Sequence, residues 1–419
     1  MHRLKKVFKN NFISLDFKNG FLIVFLSASV MFLIKLIFSS RVYGTNDITY
    51  WIYFSKIIQE FGTSKIYSLV KIYNHPPLVS WILKLVRFIE IKSQLSFPFL
   101  FRLMPILADY MSIFVIWELL RKYKIKNKIL ICLICIINPI NFLVSGFHGN
   151  IDPIFIFLTL LTIYFIENNN IILSGLIYGL SMCVKIVPII LVPVFIFYLK
   201  ERKDKIIFVL SSSILPVVVF LPYLIIDFHF IIRNIFLYSS LKGIWGLGHI
   251  LSSIFMNESI NINIRNFSFL IFKLHIAFGL IIFFILSLIL SKSLIENQKL
   301  NLTEGTFLTF SLFLVITPGF GVQYLSWLSL YSAIVFPILG MIYVLLGGFF
   351  LYRVYIYWGG GLPPYYANSD VVGQWIGVEK ILDIILWLLI IVILIKFLLD
   401  KNIFIALRSK KLTYKSANS

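Results

Sequence analysis

The sequence predicts an all-α polytopic membrane protein of about twelve transmembrane helices, and three observations carry that reading. Hydrophobic residues make up 59% of the 419 and charged residues only 13%, against roughly 45–50% and 25% in soluble globular chains; the mean hydropathy is +0.93. Apolar runs at 21–38, 206–226 and 381–399 reach or approach the roughly 18–20 residues that cross hydrocarbon as a helix. Lysine and arginine cluster beside such runs, in RLKKVFK near the start, RKYKIKNK at 121–128, KERKDK at 200–205, KSLIENQK at 292–299 and the tail from Lys401. Loops of that composition stay in the cytoplasm, so both termini are placed inside. The net charge of +20 then reports topology, not nucleic-acid binding.

Taken in order, the spans fall at about 20–40, 98–120, 129–147, 153–167, 171–184, 187–199, 206–226, 267–291, 304–318, 324–336, 337–352 and 379–400. The first lacks a small-residue cleavage pattern behind it and reads as a retained helix. Those between 154 and 199, and those flanking Pro337, are short. Helices that stop at membrane depth must line protein or water, so a cavity is expected on the outer side of the bundle. The whole chain, 1–419, reads as one integral membrane domain. Its first outer loop, 41–97, carries apolar residues at helical spacing, with Lys84 and Arg87 among them, the pattern of helices lying in the interface plane. Further outer loops are expected at 227–267 and 353–378, the latter holding the turn-rich WGGGLPPYY.

Three cysteines argue against a disulfide framework, and Cys132 and Cys135, a C-x-x-C within an apolar span, read as small buried hydrophobes. No His/Cys/Glu grouping has metal spacing, and P-loop, G-x-G-x-x-G and G-x-S-x-G patterns are missing. Metal, nucleotide and serine-hydrolase chemistry are therefore unsupported.

Polar groups at membrane depth are costly and mark candidate sites. Asp47 stands in a Gly-Thr-Asn-Asp turn just beyond the first span, with Trp51 close behind. Thr45 or Asn46 suits a helix cap there, and the first-turn amides keep a carboxylate ionised. Arg102 and Asp109 share a face of the second span and require partners on neighbouring helices. In SGFHGNIDP, His148, Asn150 and Asp152 form the densest hydrogen-bonding cluster; Asp152 reads either as the cap of the helix opened by Pro153 or as a cap that also serves a site. Lys185, in GLSMCVKIVPIILVP, has no acid near it in sequence, so its ammonium needs a carboxylate from another helix or an anionic ligand. A lipid phosphate is the ligand that fits. TPGFGVQYLSW places Gln323, Tyr324 and Trp327 at the start of a short span, where an interfacial aromatic belt accounts for the two rings but not for Gln323. His75, in YNHPP, reads as a second base, a substrate contact or a surface group.

The ordered set GTNDITYW, SGFHGNIDP, GLSMCVKIVPIILVP and TPGFGVQYLSW resembles the GT-C superfamily of integral membrane glycosyltransferases, in particular the polyprenyl-phosphate-sugar-dependent mannosyl- and glucosyltransferase-like branches. The likeness covers most of the chain as topology and four short motifs as sequence. It implies a GT-C-like bundle and a catalytic acid in the first outer loop, which falls on Asp47. Many members carry two adjacent acids where this chain has Asn46-Asp47, which leaves open a role for Asp152 as the second acid, or for a divalent metal. No cofactor is implied. The lipid-phosphate sugar is a co-substrate, the acceptor is a lipid or glycan hydroxyl, and membrane lipids surround both.

The chemistry holds together on its own terms. A sugar on a lipid phosphate brings its own leaving group, so an enzyme needs a base for the acceptor and positive charge for the departing phosphate. Asp47 would be the base, with inversion at the anomeric carbon. Lys185, with Arg102 or His148, would hold the phosphate, while Trp51 and Tyr324 pack on sugar or prenyl chain. If the source is a prokaryote the setting is its plasma membrane, with the active site on the outer face. A multi-pass transporter or lipid flippase for glycolipids is the alternative; it predicts related halves with paired broken helices, and the sequence has no clear internal symmetry.

Overall fold

The computed structural model describes residues 2–295, 300–361, 371 and 373–401, with side chains from Gly20 onward, and it is helical almost throughout. The basic tail beyond Lys401, residues 296–299 and the LPPYY part of the turn-rich loop lie outside the described residues.

Helix α1 (His2–Arg41) carries the first apolar run. Past it, α2 (Asn46–Phe61), the single turn α3 (Ile66–Leu69) and α4 (Pro77–Lys92) fill the stretch expected as the first outer loop. Helix α4 buries Val79, Leu83 and Val86 and exposes Trp81, Leu85 and Phe88, so both of its faces are apolar. Then come α5 (Phe97–Lys122), α6 (Lys128–Ile136) and α7 (Pro139–Leu143). Pro139 cannot donate to the preceding turn; the Asn138 side chain instead accepts from the amides of Ile140 and Asn141 at 3.0 and 3.3 Å. A π-helical turn, Val144–His148, ends this span. Next are α8 (Asp152–Glu167), α9 (Ile171–Val184), a 3-10 turn at Val187–Leu191, α10 (Val192–Tyr198) and α11 (Arg202–Ile231). The chain closes with β1 (Leu241–Lys242), α12 (Gly246–Met256), α13 (Ile262–Leu294), α14 (Leu302–Ile316), β2 (Gly319–Phe320), α15 (Leu325–Val335), α16 (Pro337–Gly359) and α17 (Val378–Asp400).

Each of the twelve expected spans falls largely on helix, and among the described residues seven helices are long and apolar enough to cross a membrane: this is a multi-pass membrane protein. The short ones are short as expected. Helix α8 has 16 residues, α9 14 and α15 11, and at about 1.5 Å per residue even 16 residues reach only about 24 Å of the roughly 30 Å hydrocarbon core. Helices α14 and α15 bury nearly all their side chains, whereas α11 exposes Leu210, Val218 and Ile225. Helices α14 and α15 thus sit at the centre, while α1, α11 and α13 present most of their side chains outward.

Two boundaries differ from expectation. Helix α16 does not stop near 352 but runs to Gly359, because the Arg353 guanidinium donates to Glu379 Oε1 at 3.0 Å and is not a bare charge that must end the span. The loop expected at 227–267 is also largely structured. Helix α11 kinks at Asp227 and passes into a π-helical turn at Ile232–Phe236, and α12 occupies the loop's middle.

Close approach of α9 to α11 is set by Gly175 and Gly179, a G-x-x-x-G pair of the kind that lets backbones touch in lipid. A Cβ at Gly175 would lie 2.9 Å from the Phe208 carbonyl oxygen, and one at Gly179 2.5 Å from that of Ser212. Deeper in the bundle, Lys35 of α1 pairs with Asp109 of α5 at 2.7 Å. Its ammonium also reaches Ser145 Oγ at 3.1 Å, and Asn141 Nδ2 donates to the other Asp109 oxygen at 3.3 Å. Every charge in this cluster has a partner, as burial demands, and the cluster ties α1 and α5 to the segment that leads into the π-helical turn.

Candidate active site

At one end of the bundle the first outer loop folds onto the Phe147–Asp152 connection. Thr45 stands at the N-cap position of α2, but its hydroxyl makes no cap bond; it donates to the His148 carbonyl at 3.2 Å. One turn on, Trp51 Nε1 donates to the Gly149 carbonyl at 3.1 Å. These two bonds place Asp47, in the first turn of α2, against the side chains of the same connection. Oxygen Oδ2 of Asp47 lies 2.9 Å from His148 Nε2 and accepts from Asn150 Nδ2 at 3.1 Å. Both donors converge on that one oxygen, and the side chain keeps 30% exposure. Burial alone would raise the Asp47 carboxyl, but the charge and hydrogen bond of His148, the Asn150 amide and nearby His75 outweigh it and hold it below the usual carboxylate range.

Asn150 links this carboxylate to the next. Its amide oxygen accepts from the Asp152 backbone N–H at 3.2 Å, which starts α8. The Asp152 carboxylate, expected to cap that helix, makes no cap bond. One of its oxygens pairs with the Lys185 ammonium and the other accepts from Trp327 Nε1 at 2.6 Å. Asp152 is fully buried with both oxygens engaged, so its geometry is that of a counter-ion to Lys185 and not of a second open acid. The partner Lys185 needed is therefore a carboxylate from another helix. Its ammonium also lies 5.3 Å from the Trp327 ring centre, 5.4 Å from Tyr324 and 5.9 Å from Phe155, an aromatic cage for a cation. Tyr324 and Trp327 stack at 4.0 Å and are buried; they wall this cage and do not form a lipid-facing belt.

His75 lies between the two halves. Its ring sits 4.3 Å from that of Trp51. Burial, then the Lys185 charge, push its imidazole down to about 3, while Asp47 pulls the other way, so His75 is neutral at pH 7 and senses both charged groups at once. Trp51 itself is buried between His75 and Phe101, which makes it a wall of the site and leaves little face for a sugar.

Arg102 is not brought to Lys185. Its guanidinium is fully buried and donates to the backbone carbonyls of Ser39 at 3.2 Å, Val42 at 3.0 Å and Tyr43. These carbonyls end α1 and lack helical partners, and Arg102 satisfies them. Gly44, at φ +104, leaves room for that guanidinium. Gln323 is half-buried in a 3-10 turn beside Tyr324.

Two contributors carry no local signal in the sequence. Ser240 bonds the Tyr324 hydroxyl, and β1 pairs with β2 through Leu241–Phe320 and Lys242–Gly319, so the chain after α11 is laced onto the loop before α15. Pairing across about 80 residues cannot be read from either segment alone.

Residues 74–226 match the family model described as dolichyl-phosphate-mannose-protein mannosyltransferase, a segment that holds His75, His148, Asn150, Asp152 and Lys185. Over that segment the chain is similar to membrane mannosyltransferases. Among curated proteins, GPI mannosyltransferase 1 of Saccharomyces cerevisiae is 27% identical over 135 residues, 31% of this chain and 32% of that protein. The protein of the same name from Eremothecium gossypii is 30% identical over 119 residues, 28% of each chain. The match thus spans about a third of the length of these relatives. Among the described residues no group of three or more His, Cys, Asp or Glu is placed to hold a metal ion.

Proposed function

We propose that this chain is a GT-C-type glycosyltransferase that moves a hexose from a polyprenyl-phosphate donor to an acceptor hydroxyl at the outer membrane face, with inversion. The names of its relatives favour mannose. The observation that carries the reading is that Asn150 bonds both Asp47 Oδ2, at 3.1 Å, and the backbone N–H of Asp152, at 3.2 Å, and that Asp152 pairs with Lys185, so a carboxylate and an ammonium are held on one short hydrogen-bonded chain.

The division of labour follows. Oδ2 of Asp47 is held by His148 and Asn150, which leaves Oδ1 to accept the proton of the acceptor hydroxyl. The acceptor oxygen so deprotonated attacks the anomeric carbon as the bond from the anomeric carbon to the phosphate oxygen breaks. The electron pair leaves with the lipid phosphate, and Lys185 meets the growing charge. Asp152 and Trp327 are positioning residues that aim the ammonium. Neutral His75 adds a hydrogen-bonding edge without competing with Lys185 for the anion. Both termini lie on the cytoplasmic side in this reading, and Arg102 acts only by holding the α1–α2 joint.

The test is transfer by the purified protein from radiolabelled polyprenyl-phosphate mannose to candidate lipid and glycan acceptors, wild type beside Asp47→Asn. Release of polyprenyl phosphate by wild type alone supports the reading. Equal release by both removes Asp47 from the mechanism.

A further inference from the structure

Tyr238 has no part in the chemistry above, yet it is placed over it. It follows the π-helical turn that ends α11, in a segment fixed at both ends. Upstream, Asn234 Nδ2 donates to the Tyr67 carbonyl at 3.0 Å, which pins the turn to the first outer loop. Downstream, Ser240 bonds Tyr324, β1 pairs with β2, and Trp245 stacks on Phe320 at 4.1 Å with the rings 7° apart. The segment therefore bridges the two loops that hold the halves of the site. Tyr238 as a whole is 53% exposed, while its hydroxyl interacts with the side chains of Ser240 and Asn74 and with the charges of Asp47 and Asp152. Burial of that end, and those two carboxylates, raise the phenol above its usual value, so it stays a neutral hydrogen-bond donor at all working pH.

An exposed aromatic face with a fixed hydroxyl at its edge is suited to a ligand with one apolar face and a rim of hydroxyls. A hexose is such a ligand. We propose that Tyr238 is a substrate-contacting residue that packs on the transferred sugar and donates to one of its hydroxyls. The placement rests on the reading of Asp47 and Lys185 as the two walls of the site: a sugar whose anomeric carbon lies between base and phosphate has its remaining ring within reach of a group that senses both carboxylates. Asn74 and Ser240 hold the phenol before substrate arrives, which lowers the entropy cost of the contact.

The experiment measures the binding of a short-chain polyprenyl-phosphate mannose to the full protein in nanodiscs, with wild type, Tyr238→Phe, Tyr238→Ala and Lys185→Met, and repeats it with donors lacking single ring hydroxyls. Loss of one net hydrogen bond is worth about a fivefold change in Kd, so Tyr238→Phe is expected to weaken binding by about fivefold and Tyr238→Ala by more. One deoxy donor should weaken wild type by a similar factor and leave Tyr238→Phe no weaker than it is with intact donor. That non-additivity is what a merely structural tyrosine would not give. Additive losses with every deoxy donor, or unchanged Kd in Tyr238→Ala, overturn the Tyr238 assignment while loss of binding in Lys185→Met leaves the underlying reading standing. If wild type and Lys185→Met bind the donor alike, or neither binds, both fall.

Discussion

His148 Nε2 lies 2.9 Å from Asp47 Oδ2, across 101 residues of chain. The imidazole comes from a π-helical turn and the carboxylate from the first turn of α2, so neither element alone makes the pair. An extra residue in the turn rotates His148 toward the loop, which is where such turns tend to serve function.

Asp47→Asn keeps the shape and both neighbours but not the base. Transfer should fall by about 10²–10⁴-fold, the usual worth of a positioned general base, with the melting temperature changed little. Turnover under saturating donor, beside a thermal unfolding scan, separates loss of chemistry from loss of fold.

The Asp152–Lys185 pair gives a sharper contrast. Asp152→Asn leaves a nearly buried ammonium without its counter-charge and should cost about 3–5 kcal/mol of stability. Adding Lys185→Met to that variant removes the stranded charge and should recover much of the loss, while donor binding stays absent. Denaturation midpoints of the two single variants and the double variant check this; a double variant no more stable than Asp152→Asn would contradict it.

Acid sensitivity should trace to His75. Its folded value of about 3 lies below the ordinary 6.5, so the unfolded chain takes up the proton first as pH falls. The stability from a neutral His75 is full above about pH 6.5 and is lost progressively toward pH 3. Asp47, also lowered, loses its share only below the ordinary carboxylate value of 3.8. Melting temperature against pH between 7.5 and 4.5 should therefore decline in wild type and decline less in His75→Gln; parallel curves would clear His75.

Gly44→Ala forces a side chain onto a backbone at φ +104 and into the Arg102 guanidinium. The backbone strain alone is worth about 1–3 kcal/mol. Because Arg102 holds the end of α1, the damage should spread to the setting of Asp47, which hydrogen exchange of the α2 amides would register as faster exchange than in wild type.

Much of this was legible in the sequence because lipid imposes simple rules. Apolar run length located the spans, Pro and polar residues marked the broken ones, and isolated charges flagged Asp47, Asp152 and Lys185. What the sequence withheld was pairing. Nothing local joins Lys185 to Asp152, Lys35 to Asp109 or Arg353 to Glu379, since each pair spans separate helices. Lys35 carries no local signal within its apolar run, and Arg102, which by sequence suits a phosphate, is bound instead by the carbonyls at the end of α1. Tyr324 and Trp327 read as a lipid belt because aromatic residues near a span end look alike whether they face lipid or a buried cation.

The most direct check on the shared compartment is the dipolar coupling between the donor phosphorus and ¹⁵N-labelled Lys185 Nζ, measured by solid-state NMR with polyprenyl-phosphate mannose bound in nanodiscs. The expected result is a coupling that corresponds to direct hydrogen-bond contact, present in wild type and retained in Asp47→Asn even though that variant transfers no sugar. A bound donor with no coupling to Lys185 would place the phosphate elsewhere and contradict the account.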